Sequence, residues 1–352
     1  MTYKHFILPN LEARDKILSQ KQTLYRQPQA ILAKDTSPDT MSKLSPALKQ
    51  LINAPHAKPH YTTPNAATLQ PLLNRLADDA ASKKVSTPAW LTFSTATAMT
   101  MNSPQAMIYL WNTAQQQDRS MHPVLTAELQ REVGLKCISF NGIPRTINVL
   151  GAFHSSLPED VRQKLSTKAT RQFTRHNIED RKADGMALWD SVYYGFERKL
   201  LDKLAQSHPD LPVNIIHSHY AGVLSNPSRQ SYIDGEEKPK ETHVGRVLTS
   251  LVAIACLRAQ TGVGPQVTSH IFGLRKAFER GDAEAKGEVE IAGGKWLSSE
   301  DGNTWILNWI DELVKGIGTS QEGEGAGGAD SASGAVGTTF APGMTAREKA
   351  KL

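Results

Sequence analysis

Hydrophobic positions along this chain recur at helical rather than strand spacing almost throughout. The densest stretch, Arg246 to Gln260, reads RVLTSLVAIACLRAQ and is apolar on nearly every face, which predicts a buried helix. After a Gly/Pro turn, Pro265 to Phe278 reads PQVTSHIFGLRKAF, and Val267, Ile271, Leu274 and Phe278 share one helix face. His270 follows Val267 by three positions, so it points inward with that face. An inward histidine has to be paired or functional, and the plainer alternative is a core histidine satisfied by a backbone carbonyl.

Residues 1–85 mix short helical patterns with Pro-containing breaks: Leu48, Leu51 and Ile52 form one apolar set, Leu69, Leu72, Leu73 and Leu76 another. The segment is read as a helical N-terminal extension packed on the core. SPALKQLI has a well-formed helix start, with Ser45 as N-cap and Pro46 in the first turn. From Pro88 the pattern is strongly helical, through PAWLTFSTATAMTM and then SPQAMIYLWNTAQQQ, which opens on Ser103 and Pro104. LTAELQREVGLKCISF ends at Asn141 and Gly142, and a new helix begins at Pro144, so the pair marks a helix hairpin. On its second arm, Ile147, Leu150 or Val149, and Phe153 predict the buried stripe, leaving Arg145 in the first turn near the hairpin mouth.

The second half repeats the theme, with helices through Trp189 to Leu204 and Val213 to Leu224, then the His270 hairpin. A polar linker from Asn226 to His243 separates these pairs, and a last helix buries Ile306, Trp309, Ile310, Leu313 and Val314. Strand signals are scarce; KGEVEIAGGKW (Lys286 to Trp296) reads as a hairpin or an irregular loop. The organisation is therefore an all-α domain over 86–315, in halves of about 86–180 and 181–315, followed by a Gly/Ser/Ala-rich flexible tail over 316–352. GEGAGG in that tail is no phosphate loop, because no strand precedes it and no helix follows.

Composition narrows the function classes. An apolar fraction of 39% with 21% charged residues indicates a soluble globular protein. No apolar run approaches the roughly 18 residues a membrane span needs. A net charge of +5, with no basic block interleaved with aromatics, gives no nucleic-acid footprint. Cys137 and Cys256 are far apart in the chain and outside any CxxC or CxxxH pattern, which argues against a disulfide framework, a zinc site and a redox pair. His217 and His219 are two apart, and on an α-helix such residues point roughly 200° from one another, so no metal site is expected.

Several short motifs together resemble a known family. The apolar helix, turn and PQVTSHIFGLRKA hairpin look like the AhpD-like superfamily of carboxymuconolactone decarboxylases and alkylhydroperoxidases, and KCISFNGIPRTINVLGAF (Lys136 to Phe153) looks like a helix of the decarboxylase branch. With WDSVYYGF and HYAGVLSNPS, these motifs are similar to a fungal group of two-part AhpD-like proteins, over roughly residues 85 to 315. The resemblance implies an all-α, AhpD-like fold with two related helix-hairpin halves. It places His270 at the histidine of the family hairpin.

The peroxide-reducing branch carries two cysteines upstream of that histidine, where this chain has Val263 and Gln266, so peroxidase chemistry lacks its nucleophile. The decarboxylase branch pairs Arg and Glu at the start of the preceding helix; that helix opens Gly245, Arg246, Val247 here, and an ungapped match puts Ser250 and Leu251 at those positions. The first half keeps a fuller polar set: Arg131 and Glu132 opening a helix, then Lys136, Cys137 and Arg145. Glu132 is the candidate general acid or base, Arg145 the candidate carboxylate clamp, and His270 the third catalytic candidate, meeting Glu132 if the halves pack about a pseudo-twofold axis. The expected function is action on a small carboxylate or carbonyl compound, with no cofactor and no metal. The alternative is a non-catalytic helical protein serving oligomerisation, as a homo-oligomer, or partner binding.

The final residues Ala350, Lys351 and Leu352 resemble a peroxisomal targeting tripeptide. The expected partner there is the peroxisomal import receptor and the expected location the peroxisomal matrix, with mitochondria or cytosol as alternatives.

Overall fold

The structure, a computed structural model, describes residues 44–54, 61–226 and 242–319. Ala350 to Leu352 and most of the polar linker lie outside the described residues. The chain divides at Tyr61 into two units. In the first, helix α1 (Pro46–Ile52) has the start the sequence predicts: the Ser45 side chain accepts from the Leu48 N–H, and Pro46 occupies the first turn.

The second unit is all-helical, with no β-strand among its described residues. Its centre is α3 (Thr87–Thr100), buried continuously from Ala89 to Thr100. The five hydroxyls of that stretch, on Thr92, Ser94, Thr95, Thr97 and Thr100, would be costly there without partners. Ser94, Thr97 and Thr100 return their hydroxyls to the carbonyls of Trp90 (2.6 Å), Phe93 (2.8 Å) and Ala96 (2.8 Å), one turn back. Packed against α3 is the second all-round apolar helix, α12 (Arg246–Gln260), buried from Arg246 to Leu257. Helix α2 (Ala66–Ser82), in the segment read as an extension, adds Leu69, Leu72, Leu73 and Leu76 to the same core. Helix α15 (Glu300–Gly318) closes it with Ile306, Trp309, Ile310 and Leu313. Asp79 of α2 accepts from both Trp305 Nε1 (2.6 Å) and Trp309 Nε1 (2.9 Å), which fixes α15 against α2.

Around this centre stand α4 (Pro104–Gln117), α5 (Pro123–Lys136), the short α6 (Ile138–Asn141) and α7 (Ile143–Ser156). Gly142 separates α6 from α7 at φ 79°, ψ 168°, a conformation natural only to glycine, so the sequence break falls where expected. Two sequence expectations change here. Glu132 and Arg131 lie near the end of α5 rather than at a helix opening, because His122 and Pro123 start that helix upstream. The stripe of α7 is also rotated. Thr146, Val149 and Phe153 are buried while Ile147 is 65% exposed, and Thr146 can be buried because its hydroxyl returns to Gly142 O at 3.1 Å.

A second cluster forms between α9 (Ile178–Tyr193) and the segment Ile215–Leu224, around Trp189, Ile216, Tyr220 and Leu224. That segment is a π-helix, where α-helical periodicity had been expected. Ser225 N donates to Tyr220 O at 2.8 Å, closing the end with the five-residue spacing of that geometry. Helix α13 (Gly264–Glu279) carries His270 between the two clusters, with Val267, Gly273, Leu274 and Ala277 also buried. Lys286 to Trp296 is irregular up to a last short helix, α14 (Gly294–Leu297), rather than a hairpin.

Candidate active site

His270 sits on the inward face of α13, 7% exposed. Its Nε2 lies 3.4 Å from the Tyr193 hydroxyl, and Phe140 presents its ring edge-on with centroids 6.2 Å apart. Nδ1 is buried with no hydrogen-bond partner. Burial, with the Arg246 charge adding to it, lowers the imidazole pKa from 6.5 to about 4, so the ring is neutral near pH 7.

Tyr193 also meets Tyr220, and Trp189 packs against both tyrosines, tilted on Tyr193 with centroids at 4.2 Å and edge-to-face with Tyr220 at 5.1 Å. Burial and Tyr193 make Tyr220 the harder of the two to ionise, while the Tyr220 hydrogen bond opposes the rise at Tyr193. The Tyr193 hydroxyl is the partner of His270 Nε2, and the ring tautomer sets which of the two donates. With the Tyr193 O–H as donor, the proton of the neutral imidazole lies on Nδ1, the nitrogen with no partner.

Arg246, the first residue of α12, is buried as deeply. Nε donates to Ser191 Oγ (2.7 Å), Nη1 to Ser250 Oγ (2.6 Å), and Nη2 to Gly273 O (2.7 Å) and Ser191 O (3.4 Å). Burial lowers its pKa to about 10, against the pull of Asp282, Tyr220 and Glu288, which leaves it a cation. With most of its donors committed to protein oxygens, Arg246 acts on His270 through its charge. Glu288, absent from the sequence reading, accepts from the Arg246 backbone N–H at 2.7 Å and so caps α12 with a carboxylate. A Cβ on Gly245 would overlap that carboxylate. No local pattern in KGEVEIAGGKW announces this cap, because it exists only across the fold.

The other sequence candidates lie in different surroundings. Glu132 is 5% exposed and held at both oxygens by Arg171, through Nη1 at 3.2 Å and through a shorter Nη2 contact. No hydrogen bond, ion pair or charge interaction joins it to His270. One turn further along α5, Lys136 is fully buried and donates to the carbonyls of Leu224 and Val244 and to Thr249 Oγ1 (3.0 Å), tying α5, the π-helix and α12 together. Arg145, exposed in the first turn of α7, donates through Nη1 to Thr100 O at 2.8 Å. It lines a cleft of about 590 Å³ together with Phe140, Asn141, Gln260 and Thr261 among others. Phe140 is the residue common to the cleft wall and the surroundings of His270.

The two cysteines, distant in sequence, are brought to 3.5 Å between sulfurs, both fully buried and both free thiols. Burial and the neighbouring Cys256 push the Cys137 pKa well up, so the Cys137 sulfur is held as a thiol. His217 is exposed, whereas His219 is half-buried with Nδ1 at 3.2 Å from Ser139 Oγ. No group of three or more His, Cys, Asp or Glu with metal-binding geometry occurs among the described residues. No helix among them is long and apolar enough to cross a membrane.

Compared with protein families, with curated proteins and with solved structures, the chain matches none.

Proposed function

We propose that this chain is an AhpD-like, carboxymuconolactone decarboxylase-like helical protein with two related helix-hairpin halves, acting on a small carboxylate or carbonyl compound. One observation carries the reading: an enclosed, neutral imidazole whose Nδ1 has no partner while Nε2 is held by the Tyr193 hydroxyl. A perturbed ionisable group of this kind, pre-oriented and unsatisfied, suits a hydrogen-bond donor to charge that develops on a substrate oxygen. For a carboxylate β to a carbonyl, the electrons of the breaking C–CO2 bond pass into the carbonyl, CO2 departs, and Nδ1–H stabilises the enolate oxygen. A proton from solvent then completes the carbon. Arg246 disfavours the imidazolium and so keeps His270 a neutral donor.

Peroxidase chemistry is not part of the proposal, since both sulfurs are fully buried and burial holds the Cys137 thiol protonated. The test is CO2 release from a panel of β-keto acids and carboxylated lactones. Wild type and the double variant Cys137→Ser/Cys256→Ser should turn over one of them within a few-fold of each other. His270→Ala should lose that turnover while losing about 1–3 kcal/mol of stability or less. Undiminished turnover in His270→Ala removes the imidazole from the site. A second reading, a non-catalytic helical protein serving oligomerisation or partner binding, is favoured by the position of the cleft, whose lining does not include His270. Turnover of none of the panel by wild type would select it.

A further inference from the structure

We infer that the Arg145 cleft is the binding site for a planar, singly charged carboxylate with an unsaturated or aromatic body, and that Phe140 is the specificity residue separating it from His270. The inference rests on the reading of His270 as the group that meets substrate. It is carried by what the cleft holds. A volume of about 590 Å³ lies in the range of small-molecule sites. Its wall has one cation, Arg145, which among the described residues forms no salt bridge and uses Nη1 alone, on Thr100 O. Nε and Nη2 remain as the two-pronged edge that matches a carboxylate. A single positive charge with no second lysine or arginine in the lining suits one negative charge better than a phosphate's two.

The remaining wall supports a flat apolar body. Phe140 and Met101 supply apolar surface, and the amides of Asn141 and Gln260 hold the wall in place: Gln260 Nε2 donates to Phe140 O at 2.8 Å and to Asn141 Oδ1 at 3.2 Å. At the rim, Thr261 has φ 63° and ψ 168°, a region essentially reserved for glycine. Strain of this kind in a β-branched residue persists only where the surroundings enforce it, and it concentrates at ligand sites.

Phe140 connects this cleft to the imidazole. It is half-buried, packs against all three apolar clusters of the unit, and turns its edge to His270. It belongs to the four-residue α6 (Ile138–Asn141), which is capped by Gly142 at φ 79°. A carboxylate anchored on Arg145 thus shares the cleft with the Phe140 ring, the neighbour of the buried imidazole, and displacement of that ring is what admits the substrate body to His270.

Two measurements test this on the full chain, with benzoate and neutral benzamide as probes and diethyl pyrocarbonate as the histidine reagent. Saturation-transfer NMR and calorimetry should find benzoate but not benzamide bound to wild type. Arg145→Ala should weaken benzoate at least tenfold. Equal benzoate affinity in Arg145→Ala and wild type would overturn the cleft assignment. In peptide mapping, exposed His154 should be carbethoxylated in every variant. His270 should be protected in wild type, reactive in Phe140→Ala or, should that variant unfold, in Phe140→Leu, and protected again by benzoate. An unchanged His270 reaction rate in folded Phe140 variants would overturn the role of Phe140. If both results hold and no β-keto acid is turned over, the functional reading falls and the carboxylate site stands.

Discussion

His270 shows how much of a residue's chemistry is set by what surrounds it. Its ordinary pKa of 6.5 falls to about 4 in the fold, mainly through burial, so the unfolded chain takes up a proton before the folded one as pH drops. The resulting stability is fully present above about pH 6.5 and is lost as pH falls through about 4. At about 1.36 kcal/mol per unit the contribution is roughly 3 kcal/mol. Urea unfolding of wild type between about pH 7 and pH 4 should therefore lose roughly 3 kcal/mol more than His270→Gln, which has no proton to gain. Parallel pH dependence in the two proteins would mean that the ring is not held neutral. The inward position of His270 was legible from its place three residues after Val267. The neutral state was not, because Arg246, Tyr193 and Phe140 approach it from three other segments.

Helices in this protein are specified by their caps and stripes, but their contacts are decided by what they meet. Ser45, Pro46 and the Gly142 break mark ends that depend on local backbone chemistry, and they appear as expected. Gly151 and Gly185 look alike in sequence, both inside helices, yet their surroundings differ. A Cβ on Gly151 would meet nothing within 4 Å, whereas one on Gly185 would lie 2.5 Å from the backbone nitrogen of Ala221 in the π-helix. Gly151→Ala should stabilise the protein by about 0.5–1 kcal/mol through helix propensity. Gly185→Ala should destabilise it by about 1–3 kcal/mol, since α9 must move off the π-helix. Chemical denaturation of the two variants in parallel checks this, and a stabilising Gly185→Ala would show that α9 and the π-helix do not pack so closely. The π geometry itself left no mark in the Ile215–Leu224 pattern, which reads equally well as an α-helix.

At the scale of the whole second unit, long-range contacts create groupings that no motif announces. Cys137 and Cys256 are the plainest, joined at 3.5 Å where the end of α5 meets α12. Both are fully buried and the Cys137 thiol is hard to ionise, so native protein should give no reaction with Ellman's reagent. After denaturation both free thiols should react. Rapid native labelling would contradict the packing of α12 against α3 and α5. Lys136 has a similar position, its ammonium joining Leu224 O, Val244 O and Thr249 across three elements.

The sequence by itself determined that the described core is helical, where several helices begin and end, and that His270 faces inward, because each of these depends on residues within a turn or two of one another. Fully apolar helices such as α3 and α12 declared their burial in the same way. The tertiary structure decided which of two overlapping stripes α7 buries, that Glu132 pairs with Arg171, that Glu288 caps α12, and that Phe140 belongs both to the wall of the Arg145 cleft and to the surroundings of His270. These depend on distances between segments remote in sequence, which hydrophobic periodicity does not encode. Packing sets them, since the burial of one polar group is tolerated only where another segment brings its partner.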